Sequence, residues 1–263
     1  MIRTVTATEY VTPLREGGSL PAIVAADDDG TYVVKFRGAG QGVKALIAEL
    51  ISGEIARVLG LRVPEIVFAQ IDARLAKTEP DPEIQDLLRA SAGLNLALDY
   101  LPGSITFDPL AECAAAIAKQ PRLASSIVWL DALVTNVDRT AKNTNLLIWH
   151  RNLWLIDHGA TLIFHHAWSD YLERAKAPFA RVSDHVLLPW ANEILEVDAD
   201  FAPLLTRDVV ERIVALIPDE WLGEPPFASV DEHRHAYIEV LQRRLASPRV
   251  WVEEAARART ARV

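Results

Sequence analysis

Residues 136–159 read NVDRTAKNTNLLIWHRNLWLIDHG. A polar loop carries Asp138 and, five residues on, Asn143. Two β-like runs follow, NLLIW and NLWLID, joined at His150-Arg151, and the stretch ends with Asp157 just before a glycine turn at Gly159. Paired as a hairpin, the two runs bring Asp157 back beside Asp138, although nineteen positions separate them. An Asp followed five later by Asn is common by chance, and an Asp-Arg dipeptide alone reads as a turn or a surface pair. The order of loop, hairpin, apolar strand and carboxylate on a glycine turn is far more restrictive.

That order matches a particular chemistry. Phosphoryl transfer needs a carboxylate to orient the acceptor hydroxyl and take its proton, and oxygen ligands to hold magnesium against the phosphates. Asp138 fits the first role; Asn143 and Asp157 fit the second, at the Asp-to-Asn spacing of kinase catalytic loops.

The first hundred residues supply the complement. Ala22–Ala26 and Thr31–Phe36 are β-rich runs around an Asp/Gly turn, which predicts a hairpin. Residues 43–59 carry Leu46, Ile47, Leu50, Ile51, Ile55, Val58 and Leu59 at helical spacing, with Gly60 as the stop. RVPEIVFAQI and LNLALDYL read as further strands, the second ending at Pro102-Gly103. Lys35 lies among apolar neighbours in YVVKF. An exposed edge lysine is the plain reading, but phosphoryl transfer also calls for a strand lysine paired with a glutamate on the next helix. Glu49 and Glu54 are five apart and face different directions, so one at most can pair with Lys35; Glu49 is preferred and Glu54 is left to solvent. Gly17-Gly18-Ser19 precedes the hairpin and offers backbone N–H groups for phosphate, without the spacing of a known glycine-rich loop.

Beyond Gly103 the pattern turns helical: Pro109–Lys119, Arg122–Val134, DYLERAKA, LLPWANEIL, TRDVVERIVALI and DEHRHAYIEVLQRRLA. The chain therefore reads as α+β, with a small β-rich lobe over 1–102 and a larger helical lobe over 103–263. VEEAARARTARV at the end reads as a solvated helix end or tail.

Composition narrows the partners. With 263 residues, half of them hydrophobic, the chain can bury a sizeable core. A net charge of −9 argues against a nucleic-acid surface, and no apolar run approaches a membrane span. No basic-then-apolar segment opens the sequence, so a cytoplasmic protein is expected. Cys113, the single cysteine, reads as a buried structural thiol. His165-His166 lacks the helical His-Glu-x-x-His pattern of a zinc site, and adjacent side chains diverge. Asn136 and Asn145 read as residues that shape the loop through side-chain hydrogen bonds.

Three segments together, YVVKF, AELISGEIARVLGLRVPE and LDALVTNVDRTAKNTNLLIWHRNLWLIDHGATLIFHH, resemble the HipA-like kinases, atypical relatives of protein and phosphatidylinositol kinases. The resemblance implies a compact bilobal kinase fold that binds ATP and Mg2+. It makes Lys35 the phosphate-binding lysine, Glu49 its partner, Asp138 the catalytic aspartate, and Asn143 and Asp157 the metal ligands. Ala97–Leu101, with Asp99, Tyr100 and Leu101, looks like the hinge whose backbone would hold adenine. His158 replaces the usual phenylalanine and is similar to the lipid-kinase branch. A protein serine or threonine is the acceptor expected; a small-molecule or lipid-headgroup kinase and a nucleotide-binding pseudokinase scaffold are the alternatives.

Overall fold

Thr, Val, Ile and Ala dominate the strand-forming segments of the first hundred positions, and in the computed structural model they close into a barrel. The structure describes residues 2–14, 20–77 and 79–262, with the backbone alone at Glu112 and Cys113. Gly17, Gly18 and Ser19 lie outside the described residues, as does the side chain of Cys113.

The barrel contains β1 (Thr4–Pro13), β2 (Ala22–Ala26), β3 (Thr31–Lys35), β4 (Ile66–Ile71) and β5 (Gly93–Asp99), in the order β1-β2-β3-β5-β4. Helix α1 (Gly42–Val58) follows β3, and α2 (Pro82–Ala90) precedes β5. Alternation decides which side chains enter the barrel: Val5, Ala7, Val24, Tyr32, Val34, Val67, Ala69 and Ala97 are buried in one apolar cluster. β1 closes the barrel by pairing parallel to β4 and antiparallel to β2. Its threonine-rich sequence, TVTATEYVTP, hides this alternation from a search for apolar runs. Helix α2 also went unread, although Asp81 caps it by accepting from the Glu83 N–H at 2.9 Å and Pro82 opens it. Gly38, in the small-residue loop after β3, is there for close packing: a Cβ would lie 2.8 Å from Ser91 Oγ and from the Ala90 Cβ.

The contacts divide the chain into two units, Met1–Leu50 with Pro64–Gly103, and Ile51–Val63 with Ser104–Val263, so one boundary falls inside α1. The second unit contains β6 (Ile105–Thr106), α3 (Glu112–Ala118), α4 (Pro121–Leu133), β7 (Leu146–Trp149) and β8 (Asn152–Leu155). It continues through α5 (Tyr171–Arg174), α6 (Ile194–Phe201), α7 (Arg207–Val214), α8 (Val230–Leu245) and α9 (Val250–Arg262). β7 and β8 form the expected hairpin, with His150 and Arg151 both at positive φ (47° and 64°), the geometry of a type I′ turn. Trp149 and Trp154 pack across it with ring centroids 5.2 Å apart.

Two helical expectations change. LLPWANEIL forms only a short 3-10 turn at Leu188–Trp190 before α6: Pro189 is accommodated in its first turn, and Ala191 (φ −86°, ψ 73°) leaves helical geometry directly after it. The final segment is no solvated tail: α9 buries Trp251, Val252, Ala255 and Ala258, and Trp251 meets Trp129 of α4 edge-on at 5.2 Å. Arg244 of α8 is buried and caps the C-terminal end of α4, donating to the carbonyls of Leu133 (2.6 Å) and Ala132 (2.7 Å). Burial lowers its pKa to about 10, so it keeps its charge at neutral pH. The loop that begins at Thr135 therefore leaves a helix end fixed from outside.

Candidate functional site

Helix α4 ends at Leu133 with Val134 as its C-cap, and the chain at once takes left-handed conformations at Thr135 (φ 56°) and, further on, Asn145 (48°), Asp157 (54°) and Leu162 (52°). Non-glycine residues in this region are strained and persist only where their surroundings hold them. Here the holding is visible. The Asn136 N–H donates to the Asp131 carbonyl at 2.8 Å, and Asn136 Oδ1 accepts from the Asp138 N–H at 3.0 Å. Leu162 N–H donates to the Val134 carbonyl at 2.7 Å, and the Ile156 N–H to the Asn145 carbonyl at 3.1 Å. The second of these ties the end of the hairpin to the loop that precedes it.

Asp138 is half-buried, and one of its oxygens takes two amide donors: Asn143 Nδ2 at 2.7 Å and Asn145 Nδ2 at 3.1 Å. Asn136 therefore shapes the backbone, as its position suggested, while Asn145 acts on the carboxylate itself. Both amides constrain the same oxygen, Oδ2. An amide that gives its N–H to Asp138 presents its carbonyl oxygen on the opposite side, which leaves Asn143 an oxygen donor for a cation.

Asp157 is half-buried at the end of the hairpin, and His158 beside it is fully buried. The segment after Gly159 is anchored by aromatic packing onto α8. Phe164 meets Tyr237 at 5.8 Å, and Trp168 meets Tyr237 at 5.2 Å and His233 at 5.1 Å. Thr161 Oγ1 and Ser52 Oγ share a hydrogen bond of 2.7 Å.

In the other unit, Lys35 Nζ lies 3.6 Å from Glu49 Oε2. Glu49 is fully buried, and a buried carboxylate needs a compensating charge. Glu54, expected to be solvated, is instead 20% exposed and pairs with Arg57 at 3.5 Å; burial raises its carboxyl pKa. Among the residues expected at the hinge, two backbone N–H groups already have partners. Asp99 N–H is spent on the Glu65 carbonyl (2.9 Å) and Tyr100 N–H on the Thr31 carbonyl (3.0 Å). Leu101 is buried, and its N–H makes no hydrogen bond among the described residues.

The candidate metal ligands, Asn143 and Asp157, present an amide and a carboxylate. Oxygen-only donors suit a hard divalent ion such as Mg2+, which keeps water and phosphate oxygens for its remaining positions. Among the described residues, no three His, Cys, Asp or Glu side chains gather into a metal-binding group.

A network behind the loop was not anticipated. Asp131, on α4, is fully buried, and so is Arg139 at 1% exposure. Arg139 Nε donates to Asp131 Oδ2 at 2.6 Å, and Asn136 Nδ2 donates to Oδ1 at 2.8 Å. The other arm of Arg139 reaches the carbonyls of Asn145 and, at 3.3 Å, Ile156. His185 Nδ1 accepts the Leu187 N–H at 3.0 Å, so it carries no proton; Nε2 carries it and donates to Asp131 Oδ2 at 2.8 Å. Burial lowers the His185 pKa despite the Asp131 hydrogen bond, in keeping with a neutral ring. Burial alone would raise Asp131, but the Arg139 charge and the His185 hydrogen bond outweigh it and hold the carboxyl below the usual range. One signal for Asp131 was present in the sequence, a lone carboxylate within the apolar helix SSIVWLDALV; His185 gave none.

A pH dependence follows. Above the unfolded value of 6.5, His185 is neutral in both states and its contribution to stability is complete. As pH falls below 6.5 the unfolded chain takes up a proton that the folded chain refuses, so stability falls, by up to about 1.4 kcal/mol per pH unit. Asp131 adds nothing in that window, because its stabilisation is lost only below 3.8. Urea unfolding at pH 7.5 and 5.5 should show a larger loss of stability in the wild type than in His185→Gln. Parallel pH profiles for the two proteins would contradict this assignment.

With this geometry in hand, the comparisons are specific. A model of the HipA-like kinase family matches residues 7–254. The chain belongs to the HipA-like kinase family. Among solved structures, this HipA-like kinase is similar to the proinflammatory kinase CtkA of Helicobacter pylori, at 13% identity and a TM-score of 0.59, covering 99% of each chain. It also matches the Golgi casein kinase at 12% identity and a TM-score of 0.49, covering 99% of this chain and 72% of that one. A search of curated proteins returned no match. At 13% identity this kinase's likeness to CtkA speaks to the fold alone. No helix among its described residues is long and apolar enough to cross a membrane.

Proposed function

We propose that this HipA-like kinase transfers the γ-phosphoryl group of ATP to a serine or threonine hydroxyl of a protein, its two units serving as the small and large lobes of a kinase. The observation that carries the proposal is the carboxylate of Asp138, fixed through Oδ2 by Asn143 and Asn145. A carboxylate held at one oxygen is set to orient an incoming hydroxyl and accept its proton at the other. Lys35, kept in place by Glu49, would bind the nucleotide phosphates, and the Leu101 N–H would meet the adenine edge. Asn143 and Asp157 would hold the divalent ion, which when bound neutralises phosphate charge. The chain's own contribution is positioning and electrostatics, with no covalent intermediate. The protein acceptor is supported by the family; the fixed carboxylate would serve any alcohol.

The test is ATP consumption by pure protein with Mg2+, with generic protein substrates and small alcohols as acceptors, followed by intact mass and phosphoamino-acid analysis. Phosphoserine or phosphothreonine on protein is the expected result. Transfer to small alcohols alone would redirect the acceptor assignment. Nucleotide binding without transfer to any acceptor would favour a scaffold, and failure to bind ATP would end the proposal.

A further inference from the structure

Asp138 and Asp157 sit on two separate stretches of chain, and Arg139 is a side chain that touches both. Its Nη1 donates to the carbonyl of Asn145, whose amide holds Asp138, and to the carbonyl of Ile156, the residue before Asp157. Arg139 is itself aimed by Asp131, and Asp131 is shared with His185. His185 belongs to a segment that also lies along the loop: Thr140 and His185 form a β-bridge, and the Val186 N–H donates to the Arg139 carbonyl at 3.1 Å. That segment is in turn held by α9, where Arg262 donates to the carbonyls of Ser183 (2.8 Å) and His185 (3.2 Å).

We infer that His185 is a positioning residue for the phosphoryl-transfer centre, acting through Asp131 and Arg139 to fix the Asp138 loop against the strand that carries Asp157. The inference rests on the kinase reading for its catalytic consequence, but the mechanical part stands apart from it. His185 touches neither Asp138 nor any ligand position named above. Its Nε2–H occupies the same carboxylate oxygen that Arg139 Nε uses, so it fixes the Asp131 rotamer, and with it the direction of the guanidinium. The chain gains something from this construction that apolar packing would not give. Three donors converging on one buried carboxylate define a single orientation, whereas an apolar contact tolerates rotation.

Gln and Met discriminate this role from simple packing. The amide nitrogen of glutamine can stand where Nε2–H stands, while methionine fills a similar volume without a donor. His185→Met should lower kcat by about 100-fold, the scale expected of a misplacement near 1 Å, with KM for ATP changed by less than about threefold. His185→Gln should restore most of that loss. Hydrogen exchange followed by mass spectrometry should show faster exchange in peptides covering 136–157 for the Met variant, with α8 protected as in wild type. Should His185→Met not fold, Arg139→Lys serves instead: it keeps a charge in the site, but its single nitrogen cannot hold Asp131 and the carbonyls of Asn145 and Ile156 together, so it should lower kcat and loosen the same peptides.

Gln failing to rescue, or unchanged exchange over 136–157 in the Met variant, overturns the inference, even where kcat falls. If the wild type transfers no phosphate but the Met variant still loosens 136–157, the kinase reading fails while the positioning of this loop by His185 stands.

Discussion

Asp157→Ala should abolish Mg2+-dependent nucleotide binding, whereas Asp138→Asn should leave that binding within about threefold of wild type and reduce turnover by roughly 1,000-fold, within the range that removal of a general base produces. The two aspartates belong to one loop system but meet different demands. Asp138 has one oxygen occupied by the Asn143 and Asn145 amides, so its remaining acceptor capacity suits a single proton from a hydroxyl. Replacing it by asparagine keeps the size and can keep one carbonyl oxygen toward those amides, but removes the basicity. Asp157 stands at a left-handed backbone position directly after Ile156, whose carbonyl Arg139 grips. Alanine there keeps the Arg139 contact to the Ile156 carbonyl and deletes the carboxylate proposed to hold the metal, an effect that should appear in binding before any chemistry. Calorimetric titration with a non-hydrolysable ATP analogue, with and without Mg2+, measures the first property, and steady-state ATP consumption the second. Equal nucleotide affinities in the two variants would contradict the division of roles.

What could be read in the sequence was what spacing controls locally. Asp138 and Asn143 meet because a five-residue loop returns on itself, and the hairpin that carries Asp157 back was visible in two short apolar runs around His150-Arg151. Lys35 and Glu49 were equally legible, since a strand lysine and one face of the next helix leave few partners. The rest depended on contacts no local pattern encodes. His185 reaches Asp131 across 54 positions, and Arg244 caps α4 across more than 100. Strand β1 completes the barrel through a parallel pairing with β4, far away in the sequence and masked by threonines. Of the proposed adenine-binding N–H groups, those of Asp99 and Tyr100 are claimed by Glu65 and Thr31, pairings that no local pattern announces. An Asp-Arg dipeptide that reads on its own as a surface pair turned out to join a half-buried carboxylate to a guanidinium at 1% exposure, because Asp131 lies behind it.

That burial sets the scale of the largest stability effect. Asp131 accepts from Asn136 Nδ2 through one oxygen and from Arg139 Nε and His185 Nε2 through the other. Asparagine offers one acceptor oxygen and two hydrogens in the same place, so at least one donor must face a donor, and the guanidinium loses its counter-charge in a site closed to water. Removing one partner of a buried pair in this way costs about 3–5 kcal/mol, a large part of a typical domain's stability. Asp131→Asn should therefore lower the urea midpoint sharply at neutral pH. Much of that penalty is the stranded charge rather than the value of the pair, so adding Arg139→Met should recover about 2 kcal/mol relative to the sum of the two single effects. Recovery of stability should bring no recovery of turnover, because methionine cannot hold the carbonyls of Asn145 and Ile156. Additive single effects, or turnover that returns with stability, would mean that this ion pair serves packing alone. Non-additive stability with turnover still lost would mean that a costly buried charge is retained here for the geometry it imposes on the loop.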